Sequence, residues 1–262
     1  MEDAHVPILH QLFATHLMKK FVTGSQSLSQ VSVLDLGCGR GEQLAYMKRL
    51  GFQMSGCDIR KDYVESTISG LDGLDYTNTD IRLSKSSSEL PFESGQFHAV
   101  YANAVFEHSA EMPPLIGEIS RVLAPGGIFL TAFPLRSVVV EPHLKLPFVH
   151  WFSIGRSQRL LIRVLANLCH HQRSCQSIER YLRDEVFYWT SAQVRQILHR
   201  HFESINSLAK EYLMIAKSQE NRSLSLRVGL SATKVQLISS ILESLLSSQW
   251  TCIVEASNPL KR

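Results

Sequence analysis

The sequence lacks the features that mark several classes of protein. No stretch approaches eighteen uninterrupted apolar residues and no early apolar run resembles a signal peptide, so we expect neither a membrane-spanning nor a secreted protein. The basic residues are scattered, and a net charge of +3 is too small to indicate nucleic acid as a partner. The five cysteines have no CxxC spacing, which predicts reduced thiols in a cytoplasmic protein and no zinc site.

Strand-like and helix-like segments alternate through the first half of the chain. A length of 262 residues, of which 44% are hydrophobic and 19% charged, allows one large domain with a sizeable core. The predicted strands cover 31–36, 52–59, 74–80, 96–105 and 128–133, and the predicted helices cover 7–22, 41–50, 60–69 and 111–124. This alternation predicts an α/β fold with a parallel sheet covered on both faces.

The second half is less regular and predicts two insertions into the same domain. Residues 134–189 hold no clear strand, whereas Thr190 and Gln193 have capping-box spacing ahead of a helix, and 203–216 resembles a strand. We predict a leading helix and α/β core at 1–133, a lid insertion at 134–189, a core continuation at 190–215, a second lid insertion with a helix at 233–246 inside 216–249, and the last strand and tail at 250–262.

Three glycines at alternate positions, Gly37, Gly39 and Gly41, join the first strand to a helix. Such a loop favours a nucleotide-like ligand, because the amides at a helix N-terminus point towards it. A Walker loop needs lysine after its last glycine, and a dinucleotide fingerprint needs glycine where Glu42 stands. Asp35, two residues before the loop, would repel a pyrophosphate but attract an ammonium group. The pattern predicts a ligand with an amino acid moiety, such as the methionine end of S-adenosylmethionine.

Asp58 ends the second predicted strand and supports the same ligand. At the switch point of an α/β sheet, a carboxylate in this place can accept both hydroxyl groups of an adenosine ribose. The alternative interpretation is that Asp58 only caps the next helix.

Four segments together resemble the motifs of class I S-adenosylmethionine-dependent methyltransferases. They are "VLDLGCGRG", "GCDI", "ELPFESGQFHAVYANAVFEH" and "EISRVLAPGGIFLTAFP", in that order, and the match covers residues 31–134. The resemblance implies a Rossmann-like seven-stranded sheet, mostly parallel with an antiparallel last strand, plus a helical lid. It implies S-adenosyl-L-methionine as the cofactor, S-adenosyl-L-homocysteine as its product, and cofactor-binding residues Asp35, Gly37, Cys38, Gly39, Gly41, Asp58, Ile59, Asp80 and Asn103.

One part of the family pattern is missing from this chain. The acid that accepts from the adenine amino group usually lies a few residues before "LPF", where this chain has Ser86. We chose Asp80, at the predicted end of the third strand, and kept Ser86 as the alternative.

Three histidines are candidate catalytic residues on the acceptor side. His108 follows the fourth strand, with Asn103 and Glu107 near it, while His143 and His150 lie in the first insertion. Histidine changes its charge near neutral pH and suits general-base work. The alternative is that these histidines are structural. A metal at His170 and His171, near Cys169 and Cys175, is improbable, and we predict none.

The sequence thus predicts a methyltransferase, most simply one that O-methylates a small molecule such as a natural product, sugar or lipid-like alcohol. N- and C-methylation stay open, as does the oligomeric state. One alternative is a membrane-associated lipid or quinone methyltransferase, because "RLLIRVLANL" with Arg156, Arg159 and Arg163 could lie on an anionic bilayer. Another is a non-catalytic partner protein that keeps the cofactor fold.

Overall fold

The fold is a single mixed sheet with helices on both faces and a helical insertion. In this computed structural model, residues 6–22, 27–71, 79–86, 88–152, 155–168, 172–215 and 252–260 are described. The strands are β1 Ser32–Leu36, β2 Gln53–Asp58, β3 Asp80–Leu83, β4 Phe97–Asn103, β5 Leu123–Phe133, β6 Phe202–Ser207 and β7 Cys252–Pro259. The helices are α1 Ile8–Phe21, α2 Glu42–Arg49, α3 Lys61–Leu71, α4 Met112–Val122, α5 Arg156–Leu168, α6 Cys175–Asp184 and α7 Ser191–His199.

The sheet has seven strands in the order β3-β2-β1-β4-β5-β7-β6. Strands β1 to β5 pair in parallel, and β7 lies antiparallel between β5 and β6. The predicted Rossmann-like sheet with an antiparallel last strand is therefore confirmed. The strand order reverses between β1 and β4, and ligands of such sheets bind in the crevice at the carboxyl ends of these strands.

Both faces of the sheet are buried, which follows from the nearly continuous apolar character of its central strands. Successive residues of β4 point to opposite faces, so Val100 and Ala102 belong to one hydrophobic cluster while Ala99 and Tyr101 belong to the other. Side chains of α4 and α7 complete the first cluster, and α1 and α2 complete the second. The central strands are thus fixed from both sides, and so are the loops at their carboxyl ends.

The first insertion has a hydrophobic cluster of its own. Its buried members are Leu144, Leu146, Val149, Ile162, Ala166, Ile178, Tyr181, Leu182 and Val186. The insertion is attached to a short 3₁₀ turn at Phe106–His108, where the Phe187 amide donates to the Glu107 carbonyl at 2.7 Å. The Trp189 indole also donates to the Phe106 carbonyl at 3.2 Å. This hydrogen bonding brings the insertion against the loop that follows β4.

The third strand begins where we predicted it to end. The predicted strand was 74–80, of which 72–78 lie outside the described residues, but β3 starts at Asp80 and continues to Leu83. Asp80 pairs with Ser55 at the start of the ladder with β2, and Leu83 pairs with Asp58. The alternation of polar and apolar residues was too weak to fix the register, and pairing with β2 decided it.

The predicted strand at 203–216 is a strand only in its first part. After β6 the backbone is helical at 209–215. Leu208 donates its amide to the Ile253 carbonyl at the end of the ladder, and the Ser207 hydroxyl then accepts from the Ala209 amide. Tyr212 and Ile215 turn onto the second hydrophobic cluster. The predicted second lid insertion at 216–249 and the helix at 233–246 lie outside the described residues, as do His170 and His171.

A substitution at Gly56 of β2 would measure how tightly the sheet packs against α2. A methyl group at this position would lie 2.8 Å from Leu44 Cδ1 and 3.2 Å from Cys38 Cβ. We expect Gly56→Ala to lower the free energy of unfolding by about 1–3 kcal/mol through overpacking. Gly70 of α3 is the control, because a methyl group there meets no atom within 4 Å. Gly70→Ala should raise stability by about 0.5–1 kcal/mol in the same chemical denaturation experiment.

Candidate active site

The glycine loop after β1 adopts the backbone conformation that its sequence suggested. Gly37, Gly39 and Gly41 all have positive φ, at 72°, 54° and 77°. The amides of Gly37 and Cys38 donate to the Cys57 carbonyl at 2.8 and 3.1 Å, which fastens the loop to the end of β2. A methyl group on Gly39 would meet no protein atom within 4 Å. The loop therefore leaves open space beside its backbone, where a ligand can approach closely.

Asp58 holds the glycine loop to the segment before α3. Its Oδ2 accepts from the Gly39 amide at 3.0 Å, and its Oδ1 accepts from the Arg60 amide at 2.9 Å. Asp58 thus makes a capping bond and also lines the cavity beside the loop. Each carboxylate oxygen has a second lone pair, so the two interpretations of Asp58 in the sequence are compatible.

Two neighbouring cavities border the glycine loop and share Gly37, Gly39 and Tyr63 in their walls. The larger has a volume of about 450 Å³, and its lining includes Asp58, Ile59, Ser84, Ser86, Val105 and His108. The smaller, of about 280 Å³, is lined in part by His10, Asp35, Cys38 and Asn103. The shared residues make the two cavities neighbours around the loop, a shape that suits an elongated ligand with two different ends.

Asp35 is a buried carboxyl group whose charge a cationic ligand group could neutralise. It is 4% exposed, and its Oδ2 has no hydrogen-bond partner among the described residues. Burial raises the pKa of Asp35 to about 7, and the nearby charge of Asp58 acts in the same direction. Asn103 Oδ1, in the wall of the same cavity, also has no hydrogen-bond partner in the described part of the chain. An ammonium group in this cavity would satisfy both oxygens.

Asp80 does not line either cavity, contrary to our prediction. Because it begins β3, it lies three residues before the strand's carboxyl end, about 10 Å along the strand. Its carboxylate pairs with Arg82 at 2.6 Å. Ser84 and Ser86, which follow β3, line the cavity instead, so Ser86 is the alternative that the geometry supports.

Glu107, His108 and His143 meet beside the larger cavity, and His108 is the member of the trio that lines it. His108 lines that cavity and its Nδ1 donates to the Glu185 carbonyl at 2.8 Å. The rings of His108 and His143 are 5.3 Å apart, edge to face. Glu107 is 1% exposed with both carboxylate oxygens unpartnered among the described residues, and burial raises its pKa to about 7. One ligand atom of each residue lies within 4.8 Å of the others, so this trio also has the composition to hold a metal ion.

His150 lies inside the insertion rather than at the cavity. It is buried, its ring is 4.6 Å from that of Tyr188, and burial lowers its pKa. Of the three histidines that we named, the structure thus brings two together and separates the third.

The comparison with known proteins identifies the fold and the cofactor. Residues 34–131 match the family model described as "Methyltransferase domain". Over these residues the chain is similar to a methyltransferase domain, which agrees with the class I resemblance of its sequence motifs. S-adenosylmethionine is the cofactor of this domain, as the sequence predicted.

Relatives of this methyltransferase domain act on different acceptors. A ubiquinone biosynthesis O-methyltransferase of Xanthomonas oryzae pv. oryzae is 31% identical over 125 residues, which are 47% of this chain and 51% of the relative. The chain therefore spans about half the length of the curated relatives it matches. A geranyl diphosphate C-methyltransferase from Streptomyces coelicolor A3(2) superposes with a TM-score of 0.54 at 16% identity, over 96% of this chain and 81% of that one. At that identity, the likeness concerns the fold alone.

The residues of both cavities fit S-adenosylmethionine. Asp35 and Asn103 would offer acceptors for the ammonium group, and the open space over Gly39 would leave room for the body of the cofactor. Asp58 supplies carboxylate lone pairs beside the larger cavity, where a ribose would lie.

Some residues of the methyltransferase site could not be predicted from the sequence. His10 of α1 lines the smaller cavity, although it lies outside the segment that resembles the family. Tyr63 and Glu185 also line the cavities, and no motif marks them. They reach the site because α1, α3 and the insertion pack around it.

The cofactor assignment predicts a loss of affinity in Asp58→Ala. The variant loses the carboxylate that holds the Gly39 amide and faces the cavity. We expect S-adenosylhomocysteine to bind about 1–3 kcal/mol more weakly in calorimetry, which is roughly a 5- to 150-fold rise in Kd. Asp62→Ala is the control, because Asp62 is exposed, pairs with Arg60 and lines neither cavity. Equal affinity of the two variants would contradict the assignment of Asp58.

Proposed function

We propose that this protein transfers the methyl group of S-adenosylmethionine to a hydroxyl oxygen of a small-molecule acceptor. The observation that carries the proposal is the cluster of Glu107, His108 and His143, which reaches the larger cavity through His108. An oxygen nucleophile must lose its proton during methyl transfer, whereas the unprotonated form of an amine does not need a base. Histidine next to a carboxylate is a side-chain pair that can take such a proton near neutral pH.

The cofactor supplies a methyl carbon activated by a positively charged sulfur. The acceptor's O–H bond breaks, and its proton passes to the ring of His143. The oxygen then forms the bond to the methyl carbon, and the electrons of the carbon–sulfur bond remain on sulfur as the thioether of S-adenosylhomocysteine. His108 forms the wall that orients the acceptor, and it is the second candidate for the base. His150 is left out of this step because it is buried and lies outside the cluster of Glu107, His108 and His143.

The insertion at 134–189 acts as a lid in this proposal. Hydrogen bonds from Phe187 and Trp189 hold it against the 3₁₀ turn that carries Glu107 and His108. Closing a site in this way keeps water from competing with the acceptor and aligns the reacting atoms. The relative in Xanthomonas oryzae is named as an O-methyltransferase, which supports oxygen as the acceptor atom. The proposal keeps the cytoplasmic location that the cysteine pattern predicts, and the scattered basic residues do not favour nucleic acid as a partner.

The proposal predicts that His143→Gln lowers kcat, because the acceptor's proton would have no base. A general base is typically worth 10²- to 10⁴-fold in rate, and we expect a loss of about that size. The measurement is release of S-adenosylhomocysteine with a panel of phenols, catechols and sugars as acceptors. Cofactor affinity should stay unchanged in calorimetry. His108→Gln tests the second candidate.

His199→Gln is the control for these variants, since His199 is exposed at the end of α7 and lines neither cavity. Full turnover in both His143→Gln and His108→Gln would show that the acceptor loses its proton without histidine. An amine or an activated carbon would then replace the hydroxyl as the acceptor class.

A second candidate function is methylation of a lipid or quinone at a membrane surface. Leu160, Val164 and Leu168 of α5 are 63%, 45% and 71% exposed, and their spacing of four residues places them along one stripe of the helix. The same helix carries three arginines at 156, 159 and 163, and Trp151 and Phe152 are exposed just before it. An exposed apolar stripe with basic residues beside it favours contact with an anionic bilayer. Among the described residues, no helix is long and apolar enough to cross a membrane.

Co-sedimentation with vesicles separates the two candidates. If the acceptor lies in a membrane, the protein should pellet with vesicles that contain anionic phosphatidylglycerol and much less with pure phosphatidylcholine. The double change Leu160→Ser and Leu168→Ser should abolish this binding. Ile68→Ser is the control, because Ile68 is 46% exposed on α3, outside this stripe. Absence of binding to either vesicle would leave the water-soluble acceptor as the only candidate.

A further inference from the structure

We infer that Glu141 is a positioning residue that fixes the ring of His143 with its Nε2 free to receive the acceptor's proton. The inference rests on the proposed function, which needs a base at His143. It goes further because it assigns a role to a buried carboxylate of the lid that lines neither the larger nor the smaller cavity. The role depends on what Glu141 contacts, on how completely it is buried, and on which ring nitrogen those contacts leave free.

Glu141 is fully buried, yet three donors from the insertion surround its carboxylate. Oε1 accepts from His143 Nδ1 at 3.1 Å and from the Tyr188 hydroxyl at 2.9 Å. Oε2 accepts from the Leu144 amide. Burial alone would raise the pKa of Glu141, but the donors, with His143 foremost, hold that pKa below its ordinary value. The carboxylate is therefore ionised at neutral pH and cannot turn away from its partners.

An ionised carboxylate beside Nδ1 decides the tautomer of the imidazole. A carboxylate can only accept, so Nδ1 must carry the hydrogen, and in the neutral ring the lone pair then lies on Nε2. With Nδ1 held by Glu141, Nε2 is the ring nitrogen that stays free for the acceptor. A histidine without such a partner exchanges between its two tautomers, and the wrong one cannot take a proton through Nε2.

The other groups near His143 lie on two other elements and on its own loop. Glu107 and His108 face it from the 3₁₀ turn, and Tyr181 of α6 packs against its ring at 5.8 Å. Lys145 lies further along the same loop. The hydrogen bond from Glu141 is the first cause of a raised His143 pKa, and the charge of Glu107 adds to it, whereas burial and Lys145 lower it. The role of Glu141 rests on the tautomer, which its hydrogen bond with Nδ1 decides.

The first test measures directly which ring nitrogen of His143 carries the hydrogen, and it needs no acceptor. Nitrogen-15 NMR of the ring, in protein treated with EDTA, distinguishes the two neutral tautomers and gives the pKa. In the native protein we expect hydrogen on Nδ1. In Glu141→Gln we expect a mixture of tautomers or hydrogen on Nε2, together with a lower pKa, because the negative charge that favours the protonated ring is gone.

The chain offers a matched control in Glu255. This carboxylate is also buried and pairs with a histidine, His16, on α1. It lines neither cavity, so Glu255→Gln removes the same kind of pair without changing the site. The His143 signals should be unchanged in that variant. A His143 ring that keeps its native tautomer in Glu141→Gln would overturn the inference, even where His143→Gln abolishes turnover.

The second test separates positioning from folding. With an acceptor that the wild type methylates, Glu141→Gln should lower kcat by about 10- to 10³-fold, with KM for S-adenosylmethionine unchanged. Glu141→Asp, which keeps the charge, should recover part of kcat. Tyr188→Phe removes one donor and should have a smaller effect than Glu141→Gln.

Two outcomes of this second test count against the inference. Equal losses of kcat in Glu141→Gln and Glu255→Gln would assign Glu141 a general structural role. Loss of turnover in His143→Gln with full turnover in Glu141→Gln would keep His143 as the base and remove Glu141 from the site. Thermal unfolding of each variant shows whether a loss of kcat reflects loss of the folded state.

Discussion

The site depends on the carboxylate of Asp58 more than on any other single group. Its two oxygens bind the amides of Gly39 and Arg60, so the end of β2, the glycine loop and the start of α3 form one unit. Thr67 of α3 adds a bond to the Gly39 carbonyl at 2.7 Å. Because Asp58 and Thr67 both hold the loop, its backbone is fixed relative to β2 and α3, beside the two cavities that share its glycines.

A second constraint assembles the acceptor side. The insertion begins after β5 and ends at the 3₁₀ turn after β4, where Phe187 bonds to the Glu107 carbonyl. This bond joins two segments that are far apart in the chain, and the small hydrophobic cluster of the insertion keeps the intervening residues in order. His143 is thereby placed beside His108. The arrangement explains how one cofactor fold can serve different acceptors, since the insertion can change while the loop after β1 does not.

The residues around the glycine loop could be predicted from the sequence because their conformation depends on residues nearby in the chain. Glycines at alternate positions indicate positive φ angles without reference to any distant residue. An acidic residue at the end of a strand lies at the edge of the sheet, whichever residues pack around it. Predictions failed where a long-range contact decides the structure. Asp80 was assigned to the wrong end of β3 because only pairing with β2 sets that register. The segment 209–215 is helical because the ladder with β7 ends at Leu208.

The sequence by itself determined the α/β alternation, the loop conformation at Gly37, Gly39 and Gly41, and the acids beside it. Tertiary structure alone decided that Glu107, His108 and His143 meet, that His150 does not join them, and that Glu141 holds His143. The reason is physical. Backbone conformation depends on residues that are neighbours in the chain. Contact between a side chain of the lid and the end of a strand depends on how two separate hydrophobic clusters pack together, and the spacing of residues along the sequence does not encode that packing.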